Sequence, residues 1–137
     1  MTNSIILDSS ALVSLFSPQD ANHQTAKKIS KSFINRYISV ILPGEIFTET
    51  VNVFGKKVNH KVALKYGAIL IESDYAIADT NDQIRSSALK KFQKQPQSVS
   101  FTDCLVMAFA DEYKTNEIFG FDEVFKKNGY TRIGIDK

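Results

Sequence analysis

Four acidic residues, Asp8, Glu49, Asp103 and Asp122, stand at positions where a carboxylate could do chemistry. Asp8 ends the apolar run Ile5-Ile6-Leu7 and is followed by Ser9 and Ser10, which can cap a helix, and then by Ala11-Leu12-Val13. A short apolar run suits a strand buried on both faces, and aspartate is disfavoured inside one. The stretch therefore reads strand, acid, cap, helix. Asp122 repeats the pattern after Ile118–Phe121. Glu49 lies a full turn into a helix, with Ile46 and Val53 at i−3 and i+4. That places it at the edge of an apolar face, where a charge is costly without compensation. Asp103 follows Ser100 by three residues in the form of a capping box and opens a helix that is apolar from Cys104 to Ala110.

Each acid has a structural alternative. Asp8 and Asp122 could be turn residues, Asp103 a capping partner, and Glu49 one half of a surface ion pair with Lys56 or Lys57. Glu45, in the first turn of its helix, needs only the helix dipole to explain it. The elements around the acids give them a common address. Helices are expected from about Ser10 to Ser17–Pro18, from Ala21 to about Phe33 with Asp20 or Asn22 as cap, from Pro43-Gly44 to about Lys57, and from about Asn59 to Ile71. Another runs from a cap at Asp79 or Thr80 to about Phe92, and the apolar helix starts near Ser100. Phe47, Val51, Phe54 and Val58 form the expected core stripe of the Lys57 helix. Strands are expected at Ile5–Leu7, Ile38–Leu42, Tyr75–Ala78, Ile118–Phe121 and near Thr131–Ile135. This alternation argues for an α/β chain with a doubly wound, mainly parallel sheet in a single domain over residues 1–137. In such a sheet the carboxyl ends of the strands open into one crevice, and all four acids belong to that edge. Four carboxylates there repel one another, and a hard cation, Mg²⁺ or Mn²⁺, removes the conflict.

Bulk composition sets looser bounds. With 43% hydrophobic and 23% charged residues the chain is expected to fold around one core. A formal charge of +2 and pI near 8.6 permit a nucleic-acid partner without demanding one. The single cysteine, Cys104, excludes an intrachain disulfide and a multi-cysteine metal site, and its apolar setting reads as core. His23 and His60 read as capping or surface residues. The opening MTNSIILDSS lacks the features of a signal peptide, no run approaches a membrane span, and the cytoplasm is the expected compartment.

Taken together, the motifs resemble those of PIN-domain nucleases, and among them the toxin ribonucleases of the VapC type. The matching stretches are Leu7-Asp8-Ser9-Ser10-Ala11-Leu12, Thr48-Glu49-Thr50-Val51-Asn52-Val53, Ser100-Phe101-Thr102-Asp103, and Gly120-Phe121-Asp122, where Gly120 replaces the family's usual Thr or Ser. The resemblance implies a five-stranded parallel sheet with helices on both faces and Mg²⁺- or Mn²⁺-dependent cleavage of RNA. It implies Asp8 and Asp103 as main metal ligands, Glu49 completing the set or positioning water, and Asp122 binding a second ion or acting through water. Ser10, Asn52 and Thr102 would support these groups or touch a phosphate. It further implies an antitoxin partner and a homodimer. Lys56, Lys57, Lys61, Lys126 and Lys127 are the expected phosphate contacts. Rival readings are a stand-alone PIN nuclease in RNA processing, an aspartate-based phosphotransfer or phosphatase domain, and a non-catalytic RNA-binding module. A dehalogenase-like phosphatase needs an acid where Ser10 stands, a receiver domain needs a pair of acids at the first strand end, and a non-catalytic module would have lost one or more of the four.

Overall fold

The computed structural model describes residues 3–33 and 36–136; residues 1–2, 34–35 and 137 of the expected domain lie outside it. Five strands form one sheet in the order β3-β2-β1-β4-β5: β1 (Ser4–Leu7), β2 (Ser39–Pro43), β3 (Ala76–Ala78), β4 (Glu117–Phe119) and β5 (Thr131–Arg132). Every pairing is parallel. The chain steps from β1 through β2 to β3 on one side, then crosses back to build β4 and β5 on the other. Right-handed crossovers in opposite directions place their helices on opposite faces. One face carries α1 (Ser9–Phe16), α2 (His23–Ser32), α3 (Gly44–Lys57) and α4 (His60–Glu72); the other carries α5 (Asp82–Gln93), α6 (Phe101–Glu112) and α7 (Glu123–Lys127). The expected doubly wound sheet, helices on both faces, is the one observed.

The core explains the order. All four residues of β1 are buried, as a central strand covered on both sides requires. Cys104–Ala110 of α6 is buried throughout, and this helix packs across β1 and β4. Among the described residues no helix is long and apolar enough to cross a membrane.

Several boundaries differ from expectation, each for a local reason. Of the expected stripe Phe47-Val51-Phe54-Val58, helix α3 buries Phe54 and half-buries Phe47 against the core, while Ile46 and Thr50 are its other buried residues. Phe47 and Val51 meet α4 at Gly67, and Val58, past the last turn, is exposed. The sheet, α1 and α4 all pack against this helix, so its apolar arc is wide. Thr50 is tolerated inside because its hydroxyl donates to the Ile46 carbonyl (2.7 Å). Pro43 closes β2 rather than opening the helix. Helix α5 is capped by Asn81, whose side chain accepts from the Ile84 amide (2.8 Å), while Thr80 donates to Glu45 (2.6 Å). Strand β3 is only Ala76–Ala78. Helix α2 starts at His23, and Asp20 accepts instead from the Asn22 amide (2.8 Å). Strand β4 stops at Phe119 because side chains take over its ladder. The Phe121 amide donates to Ser10 Oγ (3.0 Å) and the Phe121 carbonyl accepts from Arg132 Nη1 (2.9 Å). Strand β5 ends at Arg132, where a turn closes onto Asp136.

Candidate active site: a carboxylate cleft at the switch point

The sheet reverses direction between β1 and β4, and the crevice outside their carboxyl ends is where open α/β sheets bind ligands. Asp8 is the residue directly after β1, its amide still bonded to the Phe119 carbonyl of β4 (2.9 Å). It caps α1: its Oδ2 accepts from the Ser10 amide (3.2 Å) and from Ser10 Oγ (2.6 Å). Ser10 Oγ also receives the Phe121 amide, so one hydroxyl stitches the acid to the loop after β4. Asp8 is 4% exposed, yet no buried side-chain oxygen among the described residues lacks a partner. Among the described residues its Oδ1 accepts no hydrogen bond, so it is this oxygen that keeps access to solvent where Asp8 lines the cleft.

The other three acids arrive from separate elements. Glu49 comes from the second turn of α3 and accepts from Ser9 Oγ. Neither Lys56 nor Lys57 pairs with it among the described residues. Asp103 sits in the first turn of α6 and completes a capping box with Ser100 (3.1 and 3.2 Å). The capping role is real, and the carboxylate lines the cleft as well. Asp122 caps α7, accepting from the Val124 amide (3.0 Å), and is separated from the end of β4 by Gly120 and Phe121. All four acids line one cleft of about 520 Å³ together with Ser9, Ser10 and Ser100. Three helix N-termini, those of α1, α6 and α7, converge on it, and their dipoles favour negative charge.

Electrostatics records the crowding. Burial, with Asp103 and Glu49 as like charges, outweighs the Ser10 hydrogen bonds and pushes the Asp8 carboxyl up to about 6. Burial likewise raises Asp103, with Asp122 and Glu49 adding to the shift. Lys57 is the cation among the cleft-lining residues, and it is exposed. Among the described residues no three acids, histidines or cysteines stand near enough to enclose a metal ion by themselves. Carboxylates are the donor type that Mg²⁺ and Mn²⁺ take, one or two per ion, with water and phosphate oxygens as the remaining ligands.

The remaining expected residues divide. Asn52 is exposed on α3 and lines a groove beside Glu49, outside the cleft itself. Thr102 is half-buried in the first turn of α6 and does not line the cleft. Gly120 has a steric cause: a Cβ there would lie 2.9 Å from Asp8 Cβ and 3.0 Å from the Phe125 ring. The family's hydroxyl is absent at that position, and Ser10 makes the contact between Asp8 and the loop. Asp20, a fifth carboxylate at the cleft, was expected only as a cap; it also accepts from Ser14 Oγ (3.0 Å). Nothing in its local sequence marks it. Ser9 as the partner of Glu49 was equally unmarked, since the two lie 40 residues apart.

Comparison with known proteins agrees with this fold. Among solved structures the chain is similar to VapC20 of Mycobacterium tuberculosis, described as a Sarcin-Ricin loop cleaving toxin, with TM-score 0.84 at 20% identity over 94% of this chain and 98% of that one. No curated protein matches the chain in sequence. The sequence profile of the PIN domain matches residues 5–129. The chain belongs to the PIN domain family.

Proposed function

We propose that this chain is a divalent-metal-dependent endoribonuclease acting as the toxin of a toxin–antitoxin pair. The observation that carries the reading is Asp8: a carboxylate almost wholly buried at the switch point, sharing its cleft with Asp103 and Glu49 and, among the described residues, in no ion pair. An acid so placed is costly unless a cation arrives from outside. Mg²⁺ or Mn²⁺ would be held by Asp8 and Asp103, with Glu49 and Asp122 reaching it through water. When bound, such an ion neutralises charge developing on a phosphoryl group and activates water. The chain's own residues do the positioning. Ser10 fixes the Asp8 carboxylate through Oδ2 and leaves Oδ1 toward the cleft, and Ser9 holds Glu49. The Ser100 capping box fixes the first turn of α6 and so the angle at which Asp103 enters.

The likeness to VapC20, a Sarcin-Ricin loop cleaving toxin, suggests an RNA loop as the substrate class, met in the cytoplasm. A protein antitoxin and a second copy of the chain belong to the same proposal. Leu64 and Ile71 on α4, and Leu89 and Phe92 on α5, are exposed apolar residues that such contacts would cover. Incubation of the purified protein with total cellular RNA, in Mg²⁺, Mn²⁺ or EDTA, followed by mapping of the cleaved ends, tests the reading. Cleavage at discrete sites in metal that stops in EDTA is the expected result. Undiminished cleavage in excess chelator would contradict it.

A further inference from the structure

Two grooves leave the acidic cleft, and their charges differ. On the α3 side a groove of about 830 Å³ carries Glu45, Glu49 and Asp79 against the one cation Lys56. A polyanion is repelled along it. On the other side a groove of about 930 Å³ begins at Asp103 and Asp122 and runs between α5, the loop after it, and α7. Glu123 stands at its acidic end, and beyond that come Lys90, Lys91, Lys94 and Lys127. Lys91 is already engaged: its ammonium pairs with Asp111 (2.6 Å) and lies over the Tyr130 ring. Lys90, Lys94 and Lys127 are exposed, and among the described residues they make no ion pair. Gln95 and Asn128 exchange amide hydrogen bonds (2.9 and 3.2 Å) across the groove, tying the loop after α5 to α7. That bridge fixes the separation of the two lysine-bearing walls.

Resting on the nuclease reading, we propose that this α5–α7 groove is the track of the RNA backbone, with Lys90, Lys94 and Lys127 contacting successive phosphates on one side of the cut. The lysines expected from the sequence divide accordingly. Lys127 lies on the track, Lys57 and Lys56 belong to the cleft and the opposing groove, and Lys61 and Lys126 line neither. Phosphate contacts hold a strand in register without reading its bases, so the track supplies affinity and not sequence choice.

The test uses a fluorescent single-stranded RNA oligonucleotide, bound in EDTA so that it is not cut, with affinity followed against salt. The variant is Lys90→Gln/Lys94→Gln/Lys127→Gln, and Lys56→Gln/Lys61→Gln is its control. Three single-strand phosphate contacts amount to a salt slope of about 2. From about 50 to about 200 mM salt, the unaltered protein should thus lose about 20-fold more affinity than the triple variant. In Mg²⁺ the triple variant should show a raised KM with kcat retained at saturation. An unchanged slope in the triple variant, or a larger loss in the control, overturns the track while leaving cleavage by the unaltered protein intact. An unaltered protein that neither binds nor cuts RNA overturns the nuclease reading and the track together.

Discussion

Asp8 and Asp136 are both nearly buried carboxylates at the ends of strand-linked turns, and the molecule treats them oppositely. Asp136 receives the Arg132 guanidinium through Nη2 at 2.8 Å and Nε at 3.0 Å, and the Arg132 amide at 2.9 Å. These hydrogen bonds hold its carboxyl below the usual range. Asp8 receives only a serine and stays above it. A guanidinium bridges both oxygens of one acid, while among the described residues no cation pairs with the other. Arg132 even reaches the loop beside Asp8, through the Phe121 carbonyl, without offering its charge to that carboxylate. A buried acid with its own counter-charge holds structure together; one without is kept for a partner from outside.

The strongest way to break this contrast is Asp8→Asn. Cleavage should fall by more than about 100-fold, beyond what loss of a supporting group behind a metal ligand costs. Stability should move the other way. The folded-state carboxyl titrates near 6 against 3.8 for the free group, so the folded protein holds the proton more tightly. Stability of the metal-free protein is then fully present below about pH 4 and falls as pH rises to about 6, by up to about 3 kcal/mol. Asp8→Asn removes that loss, so metal-free Asp8→Asn should melt higher than the unaltered protein at neutral pH. Equal melting temperatures would mean that the burial costs nothing.

Next is Gly120→Ala. The added Cβ meets Asp8 Cβ and the Phe125 ring, neither of which is the free end of a flexible chain. A loss of about 1–3 kcal/mol is expected, as for overpacking elsewhere, together with reduced cleavage because Asp8 is displaced. Circular dichroism melts and single-turnover cleavage would separate the two effects. Asp136→Asn sharpens the other half of the comparison. Its carboxyl is lowered, so the stability it contributes is present above the free-group value and lost as pH falls through the folded one. The variant should be destabilised by about 1–3 kcal/mol at neutral pH and lose that difference in acid. The smallest effect belongs to Arg85→Ala. The Arg85–Asp82 pair is exposed on the outer turn of α5, so neither stability nor cleavage should change measurably.

Much of the site was legible because strand, acid and cap are contiguous. Asp8 after Leu7, and the Ser100–Asp103 box, are local patterns, and the structure realises both. Asp122 was read from the same pattern but placed two residues too close to its strand. Arg132 and Ser10, distant in sequence, satisfy the Phe121 backbone in place of a strand partner. The insertion of β4 beside β1, which creates the switch point, is a matter of long-range pairing that no local window contains. The same holds for Ser9 with Glu49, for Asp20 at the cleft, and for Gly120, whose absent side chain makes sense only beside Asp8. The α3 stripe held at Phe54 and failed at Val58, because apolar spacing shows how wide a buried arc is, not which neighbour covers each part of it.

The central claim is that the cleft is completed by a divalent ion held at Asp8. Melting temperature followed against Mn²⁺ concentration, for the unaltered protein and for Asp8→Asn, tests it without reference to activity. Ligand that binds only the folded state raises its stability with concentration. The unaltered protein should climb with Mn²⁺ while Asp8→Asn stays flat. Parallel curves for the two proteins would place the ion elsewhere and contradict the account.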